Sequence, residues 1–247
     1  MKIVACYSNK GGVGKTATSA NLAHALAGAG HRTLLCDLDP QGASGFYFRV
    51  KPSRRLDDES FFRDQKRFTD AIRGSDYEGL DILPANMSFR DFDVFLSRMK
   101  NARSRLKKAL KAAGGAYDMV VLDCPPNISM LSENVFRASD AVIVPVIPTT
   151  LSERTFEQLL EFFRDKKLDP KKVMAFFSMA QSSKSLHNET MARMRETHRR
   201  RFLDVTVPFA ADVEKMGTHR APVATFAQAR PAAKAYDKLW REILARL

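Results

Sequence analysis

The chain of 247 residues contains no run of eighteen or so apolar residues, and its N-terminus lacks the basic, apolar and small-residue succession of a secretory signal. Those two absences exclude a helical membrane span and a signal peptide, and a soluble, cytosolic protein is expected. Cysteine is scarce. Cys6, Cys36 and Cys124 each sit in or beside an apolar run, and no two are spaced as C-x-x-C. They read as small core residues in a reducing compartment, not as metal ligands or a disulfide framework. Internal repeats, low-complexity tracts and linkers are missing too, so residues 1–247 read as a single domain. A hydrophobic content of 45% is enough for such a domain to bury a sizeable core.

Acidic residues are in short supply. Asp and Glu total 28 against 40 Lys and Arg, giving a formal net charge of +12, which implies a polyanionic partner. The deficit is concentrated in two places. Arg98, Lys100, Arg103, Arg105, Lys107, Lys108 and Lys111 share a stretch without an acidic residue, and Arg193, Arg195, Arg199, Arg200 and Arg201 form a second group. Either group taken alone reads equally well as a solvated helix face.

Apolar runs alternate with helical patterns along the whole chain. Strands are predicted at Lys2 to Tyr7, Thr33 to Leu38, Leu80 to Pro84, Met119 to Cys124, Ala141 to Val146, Val173 to Met179 and Val205 to Phe209. Several of these runs are continuous, as parallel strands covered on both faces require. Helices are predicted at Thr16 to Ala29, Phe92 to Ala113, Ile128 to Ala138, Ser152 to Phe163, His187 to Arg201 and Ala232 to Leu247. The βαβα order specifies an α/β fold: a doubly wound, mostly parallel sheet flanked by helices on both faces, with ligands at the carboxyl ends of strands. Arg49 to Arg73 carries both charges and Phe61, Phe62 and Phe68 without a clear period. It reads either as a helical excursion over the ligand edge or as a mobile surface segment.

The stretch Ser8-Asn9-Lys10-Gly11-Gly12-Val13-Gly14-Lys15-Thr16 follows the first predicted strand directly. Glycines there let successive backbone N–H groups converge on phosphate oxygens, and the next helix aims its positive dipole end at the same anion. Lys15 is placed to reach the terminal phosphates of a nucleotide and the Thr16 hydroxyl to ligate Mg²⁺. The general signature G-x-x-x-x-G-K-[ST] is not strictly met, because its first glycine falls on Asn9. Two aspartate motifs accompany the loop. Val120-Val121-Leu122-Asp123 is an apolar strand ending in an acid, the pattern that holds Mg²⁺ in phosphate-loop enzymes, and Cys36-Asp37-Leu38-Asp39-Pro40-Gln41-Gly42 ends the second strand.

The run K-G-G-V-G-K-T at Lys10 to Thr16 strongly resembles the deviant Walker A loop of the ParA/MinD group of P-loop ATPases, and D-x-D-P-Q-G resembles that family's second acidic motif. The resemblance implies ATP and Mg²⁺ as cofactors and nucleotide contacts from Lys10, Gly11, Gly12, Val13, Gly14, Lys15, Thr16 and Ala17. It implies that Lys10 reaches across a nucleotide-sandwich homodimer to the partner subunit's phosphates, and that Asp39 positions the attacking water. Asp37 then supports metal and loop geometry, and Asp123 holds Mg²⁺ through water. Val205-Thr206-Val207-Pro208 looks like the family strand that ends beside the adenine, but Phe209 stands where the family has arginine. Val213 to Pro222 only loosely represents the family's S-E-A-P-x-x-G-K-P segment.

Within the family, the +12 charge favours a ParA-like positioning ATPase. Its ATP-bound dimer would coat nucleoid DNA without sequence preference, and a cargo-associated, ParB-like partner would stimulate slow hydrolysis and release. The cargo would be a plasmid, a chromosome or a protein compartment such as a carboxysome. Arg195, Arg199, Arg200 and Arg201 lie where the family carries its DNA-contacting surface, with Arg98 to Lys111 the next candidate. No helix-turn-helix precedes the loop, so an electrostatic mode is expected and not operator recognition. The alternative is a MinD-like membrane-cycling switch, because Leu239, Trp240, Ile243, Leu244 and Leu247 lie among basic residues in the last predicted helix. That helix holds the place of the fold's own last helix, so core packing is favoured and no stable membrane association is expected. An iron–sulfur carrier of the same superfamily lacks its cysteine spacing here, and a metabolic ligase lacks a recognisable substrate motif.

Overall fold

The continuous apolar runs become the interior of one eight-stranded sheet in the computed structural model, which describes residues 1–247. The strands are β1 (Lys2–Cys6), β2 (Thr33–Asp37), β3 (Arg73–Gly74), β4 (Leu80–Leu83), β5 (Met119–Asp123), β6 (Ala141–Val146), β7 (Val173–Ala180) and β8 (Phe202–Pro208). Their spatial order is β3-β4-β2-β5-β1-β6-β7-β8, parallel throughout except for β3 against β4. In β2, β5 and β6 every residue is buried, which is why their sequences do not alternate. All seven predicted strands are present. Sequence reading missed β3, whose two residues are too short to carry a period.

The helices of eight or more residues are α1 (Lys15–Gly28), α2 (Met130–Ala138), α3 (Thr150–Asp165), α4 (Ser185–His198) and α5 (Pro231–Ala245). One apolar layer joins the sheet to α1 and α5, and the other joins it to α2, α3 and α4. The amphipathic face of α5 is consumed in the first layer. Leu239 and Ile243 are each 1% exposed, and Trp240, Leu244 and Leu247 pack at their margin. Burying a leucine or isoleucine contributes about 1.5–3 kcal/mol, so freeing this face for a bilayer would cost the fold several such contributions. No helix is long and apolar enough to cross a membrane.

Two predicted segments differ from what the fold contains. The single helix predicted over Phe92 to Ala113 is instead two six-residue helices, Phe92–Ser97 and Arg105–Leu110, joined and followed by 3₁₀ turns. Asn101, at φ 57°, turns the chain between them, a conformation asparagine tolerates better than most residues. Arg49 to Arg73 is a helical excursion and not a loose surface. Helices Asp58–Arg63 and Gln65–Asp70, each capped by an aspartate side chain, sink Phe61, Phe62 and Phe68 into the second apolar layer beside Phe89 and Phe92.

At its outer edge the sheet closes with β8. Glu242 of α5 accepts from the backbone N–H of Asp204 at 2.8 Å and of Val205 at 3.2 Å, while Arg195 Nη2 donates to the Asp204 carbonyl at 3.0 Å. Side chains therefore occupy polar groups that an unpaired edge would otherwise present to another strand.

Candidate nucleotide site

The parallel register sets the carboxyl ends of the central strands side by side. Cys6 of β1 and Asp37 of β2 both lie level with Asp123 of β5. From the end of β1 the chain enters the loop, where Gly12 at φ 71° and Gly14 at φ 90° take left-handed conformations that an L side chain rarely adopts. A Cβ on Gly14 would also stand 3.3 Å from Ser178 Oγ, and that hydroxyl donates to the Val13 carbonyl at 3.0 Å. The end of β7 thus braces the loop. Gly14 is the N-cap of α1 and offers no side chain to its first amides. Those N–H groups and the helix dipole together favour an anion. Ala17, in the same first turn, turns its methyl into the core.

The two loop lysines serve different directions. Lys15 is 7% exposed and folds over its own loop, donating from Nζ to the Lys10 carbonyl at 3.3 Å. Desolvation holds its ammonium below the usual lysine range, opposed by attraction to Asp123 and then Asp39. Lys10 is half-buried and leaves its loop for the neighbouring helix, where its Nζ donates to Ser152 Oγ at 3.2 Å in the first turn of α3. Thr149 caps that helix and its hydroxyl shares a 3.0 Å hydrogen bond with Ser152.

Beneath Lys15 lies a pair of buried carboxylates. Asp123 accepts from Ser19 Oγ at 3.1 Å and from Ser44 Oγ at 2.9 Å. Burial pushes it up to about 6, against the stabilising hydroxyls of Ser44, Thr16 and Ser19 and the charge of Lys15. Asp37 is held well above the usual carboxylate range by desolvation and then by Asp123, while the backbone N–H groups of Asp39 and Ser44 oppose the shift. Two acids crowded beside one lysine, with hydroxyl oxygens around them, form a hard oxygen donor set suited to Mg²⁺. Thr16 and Asp123 would hold the ion, Asp123 through water, with Asp37 supporting. When bound, the ion supplies charge neutralisation on the phosphates. Asp39 is partly exposed at the rim, where its Oδ1 accepts from the Gln41 N–H at 3.0 Å.

The fold brings Lys10 to Ala17, Asp37, Asp39 and Asp123 to one end of the sheet. Pro208 lies at the same end, lining an apolar cleft with Gly14, Met179, Val207, Phe209 and Tyr236. Sequence reading missed Ser19, Ser44, Ser152 and Ser178, because a serine in a loop or helix carries no periodic signal. The three cysteines are fully interior, and burial pushes Cys6 up to about 12.

The arginine group near α4 is only partly free. Arg193 pairs with Glu153 of α3 at 2.6 Å. Arg195, besides its bond to β8, donates to Thr206 Oγ1 at 3.1 Å and stacks over Phe177. Arg201 donates to the Pro170 carbonyl at 2.6 Å. Arg199 and Arg200, just past the end of α4, are exposed. In the other basic stretch Arg103 pairs with Glu133, while Arg98, Lys100, Lys107, Lys108 and Lys111 are exposed.

Comparison with known proteins fits this geometry. A family model described as "AAA domain" matches residues 1–175. The sporulation initiation inhibitor protein Soj of Bacillus subtilis is 29% identical over 252 residues, covering 99% of this chain and 98% of Soj. The chromosome partitioning protein ParA of Caulobacter vibrioides is 29% identical over 253 residues, covering 100% of this chain and 95% of ParA. Among solved structures, cobyrinic acid a,c-diamide synthase from Mycobacterium smegmatis with a bound ATP analogue and magnesium superposes with a TM-score of 0.82 at 26% identity, covering 99% of this chain and 94% of the synthase.

Proposed function

The chain belongs to the AAA domain family and, within it, to the ParA/MinD type of P-loop ATPase, and from that premise we propose that it is a ParA-like positioning ATPase using ATP and Mg²⁺. In this reading ATP drives two subunits into a nucleotide-sandwich dimer that binds double-stranded DNA without sequence preference. A ParB-like, cargo-associated protein then stimulates slow hydrolysis and release, so the protein cycles on and off the nucleoid in the cytoplasm. The cargo is a plasmid, a chromosome or a protein compartment.

The observation that carries the reading is the divergence of the two lysines. Lys15 is committed to its own loop while Lys10 points away from it, which suits a group that serves a second subunit's phosphates. The surface at this end of the sheet supports the same arrangement. Of the eight exposed large apolar side chains, six (Phe46, Met87, Ile128, Leu151, Leu186 and Phe209) lie in segments that follow the carboxyl ends of parallel strands, the end of the sheet that carries the phosphate loop, and exposed apolar surface there suits an interaction face. Hydrolysis in such a site is mainly positioning and charge neutralisation: Lys15 and the loop amides on one subunit, Lys10 from the other, and Asp39 for the water.

A small-molecule ligase on the same scaffold would share the phosphate loop, and the synthase superposes along nearly the whole chain; the partitioning reading is supported by the ParA of Caulobacter vibrioides, matched over 100% of this chain. A membrane cycle would need the apolar face of α5, which is packed in the core. The test uses the unaltered protein with ADP or with a slowly hydrolysed ATP analogue and Mg²⁺. Light scattering should report a monomer with ADP and a dimer with the analogue, and anisotropy of unrelated DNA duplexes should rise only with the dimer. A protein that stays monomeric in both states, or binds DNA equally in both, overturns the proposal.

A further inference from the structure

Ser44 is fully buried yet contributes nothing to the apolar layers; both of its hydrogen-bond donors go to the two carboxylates, while its carbonyl accepts from the Phe48 N–H at 3.2 Å. Its Oγ donates to Asp123 Oδ2 at 2.9 Å, and its backbone N–H donates to Asp37 Oδ2 at 3.1 Å. The other oxygen of Asp37 accepts from the Asp39 N–H at 3.0 Å, and the Asp39 carbonyl accepts from the Gly42 N–H at 2.9 Å. The turn from Asp39 to Ser44 is therefore pinned at both ends to Asp37. Its only side-chain hydrogen bond to the β5 aspartate is the Ser44 hydroxyl. Asp123 is held symmetrically, since its Oδ1 takes the hydroxyl of Ser19 from α1.

From this juxtaposition we propose that Ser44 is a positioning residue for hydrolysis: its hydroxyl ties the Asp39 turn to Asp123, so that metal binding at Asp123 sets the place of Asp39. The inference rests on the assignment of Asp123 to Mg²⁺ and of Asp39 to the water. Physically, Mg²⁺ held through water would add donors to Asp123, whose two oxygens already accept from Ser44 and Ser19. Any shift of Oδ2 would be passed to the turn through this one hydrogen bond. Without the hydroxyl the turn keeps its two anchors on Asp37 but loses its reference to the metal. A displacement near 1 Å at a reacting group costs on the order of 10²-fold in rate. Because the Ser44 hydroxyl and backbone N–H are spent on Asp123 and Asp37, the loss should fall on turnover and not on ATP affinity.

Two measurements on Ser44→Ala, with Ser44→Thr as the conservative variant, decide the matter. In single-turnover hydrolysis Ser44→Ala should slow by roughly 10- to 100-fold while its affinity for Mg²⁺·ATP stays within about twofold of the parent, and Ser44→Thr should recover most of the rate. In hydrogen exchange, adding Mg²⁺ to the ATP-analogue complex of the parent should slow exchange in the 37–47 segment. In Ser44→Ala the same addition should protect the phosphate loop and leave that segment unchanged. A merely structural role would loosen the segment equally with and without the metal, so a retained Mg²⁺ response in Ser44→Ala overturns the proposal. Loss of Mg²⁺·ATP binding itself also overturns it, because it would place Ser44 in the metal site. Should Ser44→Ala fail to fold, Ser44→Cys keeps the volume, weakens the donor, and takes its place in both measurements. Failure of the underlying reading has a separate signature: Asp39→Ala and Asp123→Ala would then hydrolyse ATP as the parent does.

Discussion

The phosphate-loop end of the sheet and the arginine group around α4 both looked functional as sequence, and the fold treats them in opposite ways. At the loop end, Lys15, Thr16, Asp37, Asp39 and Asp123 converge, and their polar neighbours are hydroxyls and backbone amides that leave the charges available. Around α4, three of five arginines are already occupied: Arg193 by Glu153, Arg195 by β8 and Arg201 by the carbonyl of Pro170. A motif is constrained by what it must hold, whereas an excess of charge is not. A basic side chain stands over the phosphate loop in one place, and in another basic side chains tie a helix to a strand.

The sharpest break of that comparison lies within the loop end itself. Lys15→Ala should abolish nucleotide binding, because it removes the buried ammonium over the loop and leaves two carboxylates without their cation. Lys10→Ala should keep substantial binding and lose the dimer. Equilibrium titration with a fluorescent ATP analogue checks the first, and light scattering with a slowly hydrolysed analogue checks the second. Equal dimerisation of Lys10→Ala and the parent would reduce Lys10 to a partner of Ser152 alone.

Next in size is the separation of the aspartates. Asp39→Ala should bind Mg²⁺·ATP and dimerise yet hydrolyse more slowly by roughly 10²-fold or more, the usual range for loss of a positioned acid–base group. Asp123→Ala should weaken Mg²⁺-dependent binding, which titrations with and without the metal distinguish. Ordinary turnover in Asp39→Ala would move the role to Asp37.

A smaller effect follows from the burial of Asp123. Its carboxyl is raised to about 6 in the fold against about 3.9 when solvated. As pH rises from about 4 to about 6 the unfolded chain loses this proton first, so the nucleotide-free fold loses stability across that window and levels off above it. Mg²⁺ needs the ionised form. Mg²⁺·ATP binding should therefore weaken as pH falls below about 6 and release a proton near that pH. Titration calorimetry at pH 6 in two buffers of different ionisation enthalpy measures the release; none at pH 6 would mean that the metal does not engage Asp123.

What the sequence disclosed follows the same division. The phosphate loop and both aspartate motifs are contiguous, and the chemistry that needs them also dictates their spacing, so residue order alone assembled the site. The buried strands were legible because burial on both faces leaves an unbroken apolar run. Ser44 and Ser19 were not legible, since each matters only through a partner on another element. Phe61, Phe62 and Phe68 lie on two six-residue helices, each under two turns and too short to establish a 3.6-residue period. The first residues of β8 were missed because Asp204 interrupts an edge strand that is only half covered. Arg195 and Arg201 offered no sign of their hydrogen bonds, which depend on where β8 and the loop before β7 come to rest.

The least effect per residue, and the one that sharpens the comparison most, concerns DNA. If phosphate contacts come from arginines that the fold leaves free, then Arg199 and Arg200 carry them and Arg195 does not. Each phosphate neutralised contributes about 0.9 to the slope of log affinity against log salt. Arg199→Ala with Arg200→Ala should weaken binding to unrelated duplexes alike and flatten that slope by up to roughly 0.9 for every phosphate no longer neutralised, with ATP binding and thermal stability unchanged. Arg195→Ala should do the reverse. It removes two hydrogen bonds to β8 and a stacking interaction with Phe177, so it should lower stability by about 1–2 kcal/mol and leave the slope nearly intact. Anisotropy across a salt series and thermal unfolding on the same preparations separate the two outcomes. A flattened slope in Arg195→Ala at unchanged stability would show that its hydrogen bonds to β8 are given up for phosphate. An unaltered slope in the Arg199/Arg200 variant would move the DNA surface to the exposed residues between Arg98 and Lys111.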